Sequence, residues 1–134
     1  MRPFSLKIVT PDGIAFNGEC QSITLRTTSG DLGILAGHMN LVAPLGMGRC
    51  TMVMEGHTRH AACIGGMVCV LNGSVTLVPT TFEWADKIDT DRAEKSYQRA
   101  KETLASKDSN KADLALAEAR LKRALVRKSV ASTK

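Results

Sequence analysis

Hydrophobic positions along the chain change their period near residue 86. Before that point, apolar and polar side chains alternate in short runs separated by glycine-bearing breaks: FSLKIV, DG, ECQSITLRT, SGD, GRCTMVMEG, HTRHAACIGG, MVCVLNG and SVTLVP. Period-two alternation turns every second side chain to one face, so these runs read as strands, and Asn72-Gly73-Ser74 reads as a tight hairpin turn. Short strands with frequent turns predict an all-β sandwich or flattened barrel over residues 1–85.

Beyond residue 86 the period lengthens. Ala93, Tyr97, Ala100 and Leu104 step by four, three and four, one face of an α-helix that Asp89 and Asp91 can cap. The polar SKDSN at 106–110 suits a helix–helix turn, and Leu114, Ala117, Leu121 and Ala124 or Leu125 give a second stripe. Residues 86–134 therefore predict an αα-hairpin and the whole chain an α+β protein. Both stripes are narrow and rich in alanine. At roughly 25 cal/mol per Å² of apolar surface they bury little, so the hairpin is expected to be marginal until it docks on another surface or a ligand.

The 134 residues suit one ordinary domain, or a small domain with an appendage. No apolar run approaches a membrane span and MRPFSLKIVTPDG lacks the pattern of a secretory signal, so a soluble, cytosolic-side chain is expected. Cys20, Cys50, Cys63 and Cys69 form no C-x-x-C pair and sit among strand-like apolar residues, which predicts buried free thiols in a reducing compartment rather than zinc or disulfides.

The net charge of +5 is unevenly placed: residues 1–85 carry five basic and five acidic side chains, and all the excess lies beyond them. The C-terminal part should seek an anionic partner. Only five aromatics occur, with Tyr97 alone beyond residue 84, so no stacking platform for nucleic acid is present. A protein surface or a phosphate ligand fits better.

Arg120, Arg123 and Arg127 form a basic stripe on the second predicted helix, and Arg92 and Arg99, one heptad apart, share a face of the first. Guanidinium forks bind phosphate or carboxylate oxygens in pairs, so five of them on a hairpin suit a nucleotide or an acidic protein surface. The competing reading is a solvated face partly ion-paired with Glu94 and Glu118. TSGDLGILAGH at 28–38 has three glycines but no phosphate-loop lysine; turn glycines around an exposed Leu-Gly-Ile-Leu tip, with His38 as a polar contact, are the simpler account. His57 and His60, three apart on a strand, face opposite sides and make no joint metal site. No nucleophile–base grouping or carboxylate pair can be located, so catalysis by this chain alone is not expected.

FSLKIVTPDGIAFNGE at 4–19, TTSGDLGILAGH at 27–38, ACIGGMVCVLNGSVTLV at 62–78 and KIDTDRA at 87–93 together resemble, in order and spacing, the ε subunits of bacterial and chloroplast F-type ATP synthases. The likeness runs essentially end to end. It implies a sandwich of about ten short strands over residues 1–85, docked on the γ subunit and the membrane c-ring, and a helical hairpin over residues 86–134 that regulates ATP hydrolysis. Folded against the sandwich, the hairpin of that family permits hydrolysis; extended against the α and β subunits of the catalytic head, it inhibits. The resemblance places the γ and c-ring contact at Asp31, Leu32, Gly33, Ile34, Leu35 and His38.

In some members ATP stabilises the folded hairpin, through residues matching Glu83, Ile88, Asp89, Arg92, Ala93, Arg99, Arg123 and Arg127 here. Glu83 and Asp89 would meet the adenine or ribose edge and the arginines the phosphates. Trp84 and Asp86 stand where other members often carry small or acidic residues, and Trp84 is expected to pack between the domains. The resemblance requires no metal or cofactor, leaves ATP as a regulatory ligand, and implies a peripheral position on the cytoplasmic face of a bacterial membrane. The same rotor subunit without nucleotide binding is the alternative.

Overall fold

The computed structural model describes residues 2–132. Its strands are β1 (Phe4–Thr10), β2 (Gly13–Cys20), β3 (Ser22–Thr27), β4 (Gly30–Leu35), β5 (Leu41–Pro44), β6 (Met47–Met54), β7 (His57–Leu71) and β8 (Ser74–Trp84), followed by α1 (Thr90–Ala105) and α2 (Lys111–Ala131). The strand order is β2-β1-β8-β7-β6-β3-β4, with β5 paired to β7. This sheet folds over itself around Leu6, Ile8, Ile23, Leu25, Met52, Val68 and Leu77, all at most 1% exposed.

The described residues form eight strands where about ten are expected, and HTRHAACIGG and MVCVLNG are among the runs that merge, into a single strand. The first half of β7 pairs with β6 and the second half with β5, while β8 follows both. Gly65 and Gly66, with φ of +69° and +97°, make the bend between the halves without ending the ladder. A side chain at Gly66 would overlap the Val78 carbonyl oxygen and the Pro79 Cα. The predicted hairpin turn is present: Asn72 and Gly73, with φ of 50° and 84°, join the paired Leu71 and Ser74.

Asp89 caps α1, its Oδ1 accepting the Arg92 N–H at 3.0 Å, and Asn110 caps α2 in the same way through the Asp113 N–H at 2.8 Å. Both caps end in the same packing. Ala93 and Ala100 are buried against α2, and Ala117 and Ala124 against α1, while Tyr97, Leu114 and Leu121 are only half-buried and Leu104 and Leu125 are exposed. This is the narrow seam that the alanine-rich stripes predict.

The end of α2 returns to the sandwich. Val130 and Ala131 join Ala62, Ala85 and Ile88 in a small second core, with Val126 packed beside it. Arg49 donates to the Ser129 Oγ at 3.0 Å, and Lys128 reaches Glu94 at 2.6 Å to tie the two helices together.

Candidate functional site

The hairpin and the sandwich enclose a pocket of about 510 Å³. Three elements build it: the end of β8 supplies Glu83, the cap and first turn of α1 supply Asp89, Arg92 and Ala93, and the last turns of α2 supply Arg127. The Arg127 Nε donates to the Glu83 Oε1 at 2.5 Å, both side chains about 70% covered, so this ion pair joins sandwich to hairpin. The two terminal nitrogens of Arg127 have no partner among the described residues.

Five of the eight residues expected at an ATP site therefore converge. The other three do not line this pocket. Ile88 is buried in the second core and supports the wall from behind. Arg99 lies farther along α1 and lines a different groove. Arg123 is turned back on its own helix, its Nε donating to the Ala119 carbonyl at 3.3 Å, and it lines neither cavity.

Thr10 at the end of β1 and Pro11 and Asp12 of the turn after it also line the pocket, with Thr80, Thr81 and Lys87. Turn chemistry alone accounts for Asp12 in the sequence, and its backbone N–H donates to Thr10 Oγ1 at 3.1 Å. Only the parallel pairing of β1 with β8 brings this turn beside Glu83, and such a long-range pairing leaves no local signal.

Of the competing reading of the arginine stripe, a solvated face partly ion-paired with Glu94 and Glu118, the exposure is present at Arg92, Arg99 and Arg120 and the named pairings are not. Glu118 pairs with Lys122 at 3.3 Å and Glu94 with Lys128, so both acids are taken by lysines. Arg92, Arg99 and Arg120 have no side-chain partner among the described residues. Glu94 accepts from Lys128 and Gln98, and these hydrogen bonds, Lys128 first, hold its carboxyl below the usual range.

Trp84 is not between the domains. Its ring packs edge-on against Phe82 at 4.9 Å and Phe16 at 6.4 Å, and the Arg59 guanidinium lies 3.5 Å above it. Period-two alternation turns Glu83 to the hairpin and Trp84 away from it. Phe82 lines the pocket and rests on Trp84.

The expected contact loop is mostly a strand. Asp31 to Leu35 form β4, in which Ile34 is buried in the core, Leu32 is half-buried, and Asp31 is exposed beside Arg26 at 3.2 Å. Ile34 therefore cannot meet a partner; alternation puts it inside. The exposed tip comes later, at Leu35 and Met39, where His38 is half-buried and donates from Nδ1 to the Met39 carbonyl at 2.8 Å. Beyond it, Val42, Met67, Leu71 and Val78 are 42–64% exposed, and Met67 is directly opposite Val78. Their signal was legible: MVCVL is apolar at both alternating phases, so the face turned from the core needs a cover too.

All four cysteines are free, and Cys20, Cys50 and Cys63 are buried while Cys69 is partly so. Burial pushes the Cys63 thiol up to about 12. Among the described residues no helix is long and apolar enough to cross a membrane.

Residues 3–85 match the family described as ATP synthase, Delta/Epsilon chain, beta-sandwich domain, and residues 86–132 the family described as its long alpha-helix domain. The ATP synthase epsilon chain of Bacillus pumilus is 42% identical over 131 residues, covering 98% of both chains. That of Ruminococcus albus is 40% identical over 135 residues, covering all of both. Among solved structures, a chain of the Euglena gracilis mitochondrial ATP synthase, in a complex of OSCP, F1 and c-ring, superposes with a TM-score of 0.84 at 22% identity, over 98% of this chain and 82% of that one. A Tetrahymena thermophila central stalk and c-ring structure contains a chain that superposes at 0.69 and 15%, over 95% of each. With matches over both parts and full-length relatives at about 40% identity, the chain belongs to the ATP synthase delta/epsilon family, as a non-catalytic ε-type subunit.

Proposed function

We propose that the hairpin of this central-stalk subunit is a latch whose folded form is stabilised by ATP, and that the folded form permits hydrolysis by the catalytic head. The observation that carries this is the interdomain pocket, where Glu83 of the sandwich and Arg92 and Arg127 of the two helices converge. A ligand that touches all three binds only when the hairpin is folded, and so favours that state by its differential affinity. Arg127 keeps its Nε on Glu83 and offers its terminal nitrogens to the ligand; Arg92 offers its whole guanidinium. Glu83 and Asp89 accept hydrogen bonds from the base or ribose.

In the extended form the same arginines would meet acidic surfaces of the α and β subunits. Exposed apolar side chains at Leu35, Met39, Val42, Met67, Leu71 and Val78 form the face that docks on the γ subunit and the c-ring, with Asp31, Gly33 and His38 at its margin. The protein's membrane association on the cytoplasmic side is then entirely through the complex, and it needs no cofactor of its own.

A second reading has its own support. Arg49, Glu94 and the second core already hold the hairpin without any ligand, as a purely structural or inhibitory element would require. Calorimetric titration of the intact chain with ATP, beside Arg92→Ala, separates the two. Binding in the wild type that weakens in the variant supports the latch. Absence of heat at millimolar ATP leaves the ligand-free reading.

A further inference from the structure

The chain contains four asparagines, and two of them, Asn17 and Asn72, precede glycine. An asparagine in that position can react with its own backbone, because the next residue has no side chain to hinder attack of its nitrogen on the carboxamide. The fold puts the two dipeptides in different settings. Asn17 and Gly18 lie within β2, in register with Lys7 and Leu6 of β1, and a side chain at Gly18 would meet the Phe16 ring at 3.4 Å. Asn72 and Gly73 are instead the turn between β7 and β8, outside the ladder, and residues 71–74 are all exposed. A side chain at Gly73 would meet nothing within 4 Å, and neither the Gly73 N–H nor the Asn72 carboxamide has a hydrogen-bond partner among the described residues. One tie remains. The Asn72 N–H donates to the Asn40 Oδ1 at 2.8 Å, a bond between residues 32 apart that holds Asn72 at its φ of 50°.

We propose that Asn72 is a site of spontaneous modification, a deamidation that Asn40 restrains. The Gly73 nitrogen attacks the Asn72 Cγ: the N–Cγ bond forms, the Cγ–Nδ2 bond breaks, and the Gly73 amide proton leaves with the departing nitrogen as ammonia. Water then opens the five-membered imide at either carbonyl, leaving aspartate or isoaspartate, and no electron changes hands. Closing the ring swings the Asn72 backbone toward its own side chain. At the turn the Asn40 hydrogen bond resists that movement; at Asn17 the pairing of β2 with β1 resists it more. Either product adds one negative charge beside Leu71, which is 57% exposed, and isoaspartate also lengthens the main chain of a two-residue turn that few dihedral combinations close. A chain that ages before assembly therefore carries a new carboxylate at the edge of its exposed apolar face. That consequence rests on the docking reading above, whereas the conversion does not.

The test is peptide mapping by mass spectrometry of the intact free chain after timed incubation at mildly alkaline pH, with isoaspartate counted by enzymatic methyl transfer. Wild type, Asn40→Ala and Asn40→Asp are compared folded and in denaturing guanidinium, with circular dichroism confirming equal secondary structure in the folded samples. In the folded wild type Asn72 should convert about tenfold faster than Asn17, which must first give up ladder hydrogen bonds. Asn40→Ala should speed Asn72 about fivefold, the loss of one ordinary hydrogen bond, and leave Asn17 unchanged. Asn40→Asp, which keeps an acceptor oxygen, should hold the wild-type rate, and in guanidinium both sites should convert at one rate in all three proteins. Absence of conversion at Asn72, or conversion of Asn17 at an equal rate in the folded chain, overturns the site. An unchanged Asn72 rate in Asn40→Ala, or equal acceleration in Asn40→Asp, overturns the restraint. Rates that still differ tenfold in guanidinium would trace the difference to neighbouring sequence and also contradict the proposal.

Discussion

Replacing Val130 by alanine should loosen the hairpin without loosening the sandwich. Val130 is 1% exposed in a second core whose other members are three alanines and Ile88, so it supplies much of the apolar surface that docks α2. The change removes two carbons, at about 0.8 kcal/mol each, and adds the cost of a small void, for about 2 kcal/mol in all. That energy corresponds to roughly a 30-fold rise in the population with the hairpin undocked. Native-state amide exchange of the intact chain reads this directly: α2 amides, from Lys111 onward, should exchange faster by that factor while those of β7 and β8 keep their protection. Equal acceleration of helix and strand amides would show that the chain opens as one unit. No acceleration would show that α2 is held by something other than this core; either result refutes a hairpin that is docked by this core and opens apart from the sandwich.

Gly66→Ala should be far more damaging, because the new methyl meets the Pro79 Cα at 2.6 Å at a residue with φ of +97°. Strain and overlap together should cost about 3 kcal/mol and lower the thermal midpoint by roughly 10–20 °C. Acid should loosen the contact between the helices: Glu94 has a lowered folded-state pKa, so its contribution is full above the ordinary carboxylate value and is lost as pH falls through the lowered one. Amide exchange of the hairpin between about pH 6 and 3 should show this loss, and Glu94→Gln should abolish it. With a thiol-specific reagent at mildly alkaline pH, Cys69 should react first, and Cys20, Cys50 and Cys63 only at the rate of opening, since burial keeps them protonated and covered. Four equally fast thiols would contradict the packing.

Local pattern made the architecture readable. The change of period at residue 86, the Asn72-Gly73 turn and the Asp89 cap each depend on neighbours in sequence, and each is where the pattern puts it. Residues that act by bending a strand or by long-range pairing were not readable in the same way. Gly65 and Gly66 look like the end of a strand, yet they are the bend of one that continues. Of the residues the resemblance implies, Glu83, Asp89, Arg92, Ala93 and Arg127 line one pocket together. Arg99 and Arg123 do not, because membership of a helical stripe fixes azimuth but not the side-chain rotamer or which cavity it lines. The glycine-rich surroundings of Ile34 suggest an exposed tip, although strand alternation puts it inside.

The central claim, that ATP holds the hairpin down, is tested most directly by amide exchange of the intact chain with and without saturating ATP. The account predicts that α1 and α2 amides slow together on adding ATP, while the strands far from the pocket, β3 and β4, are unchanged. Bound ATP that leaves the helix amides exchanging at their ligand-free rate would contradict it.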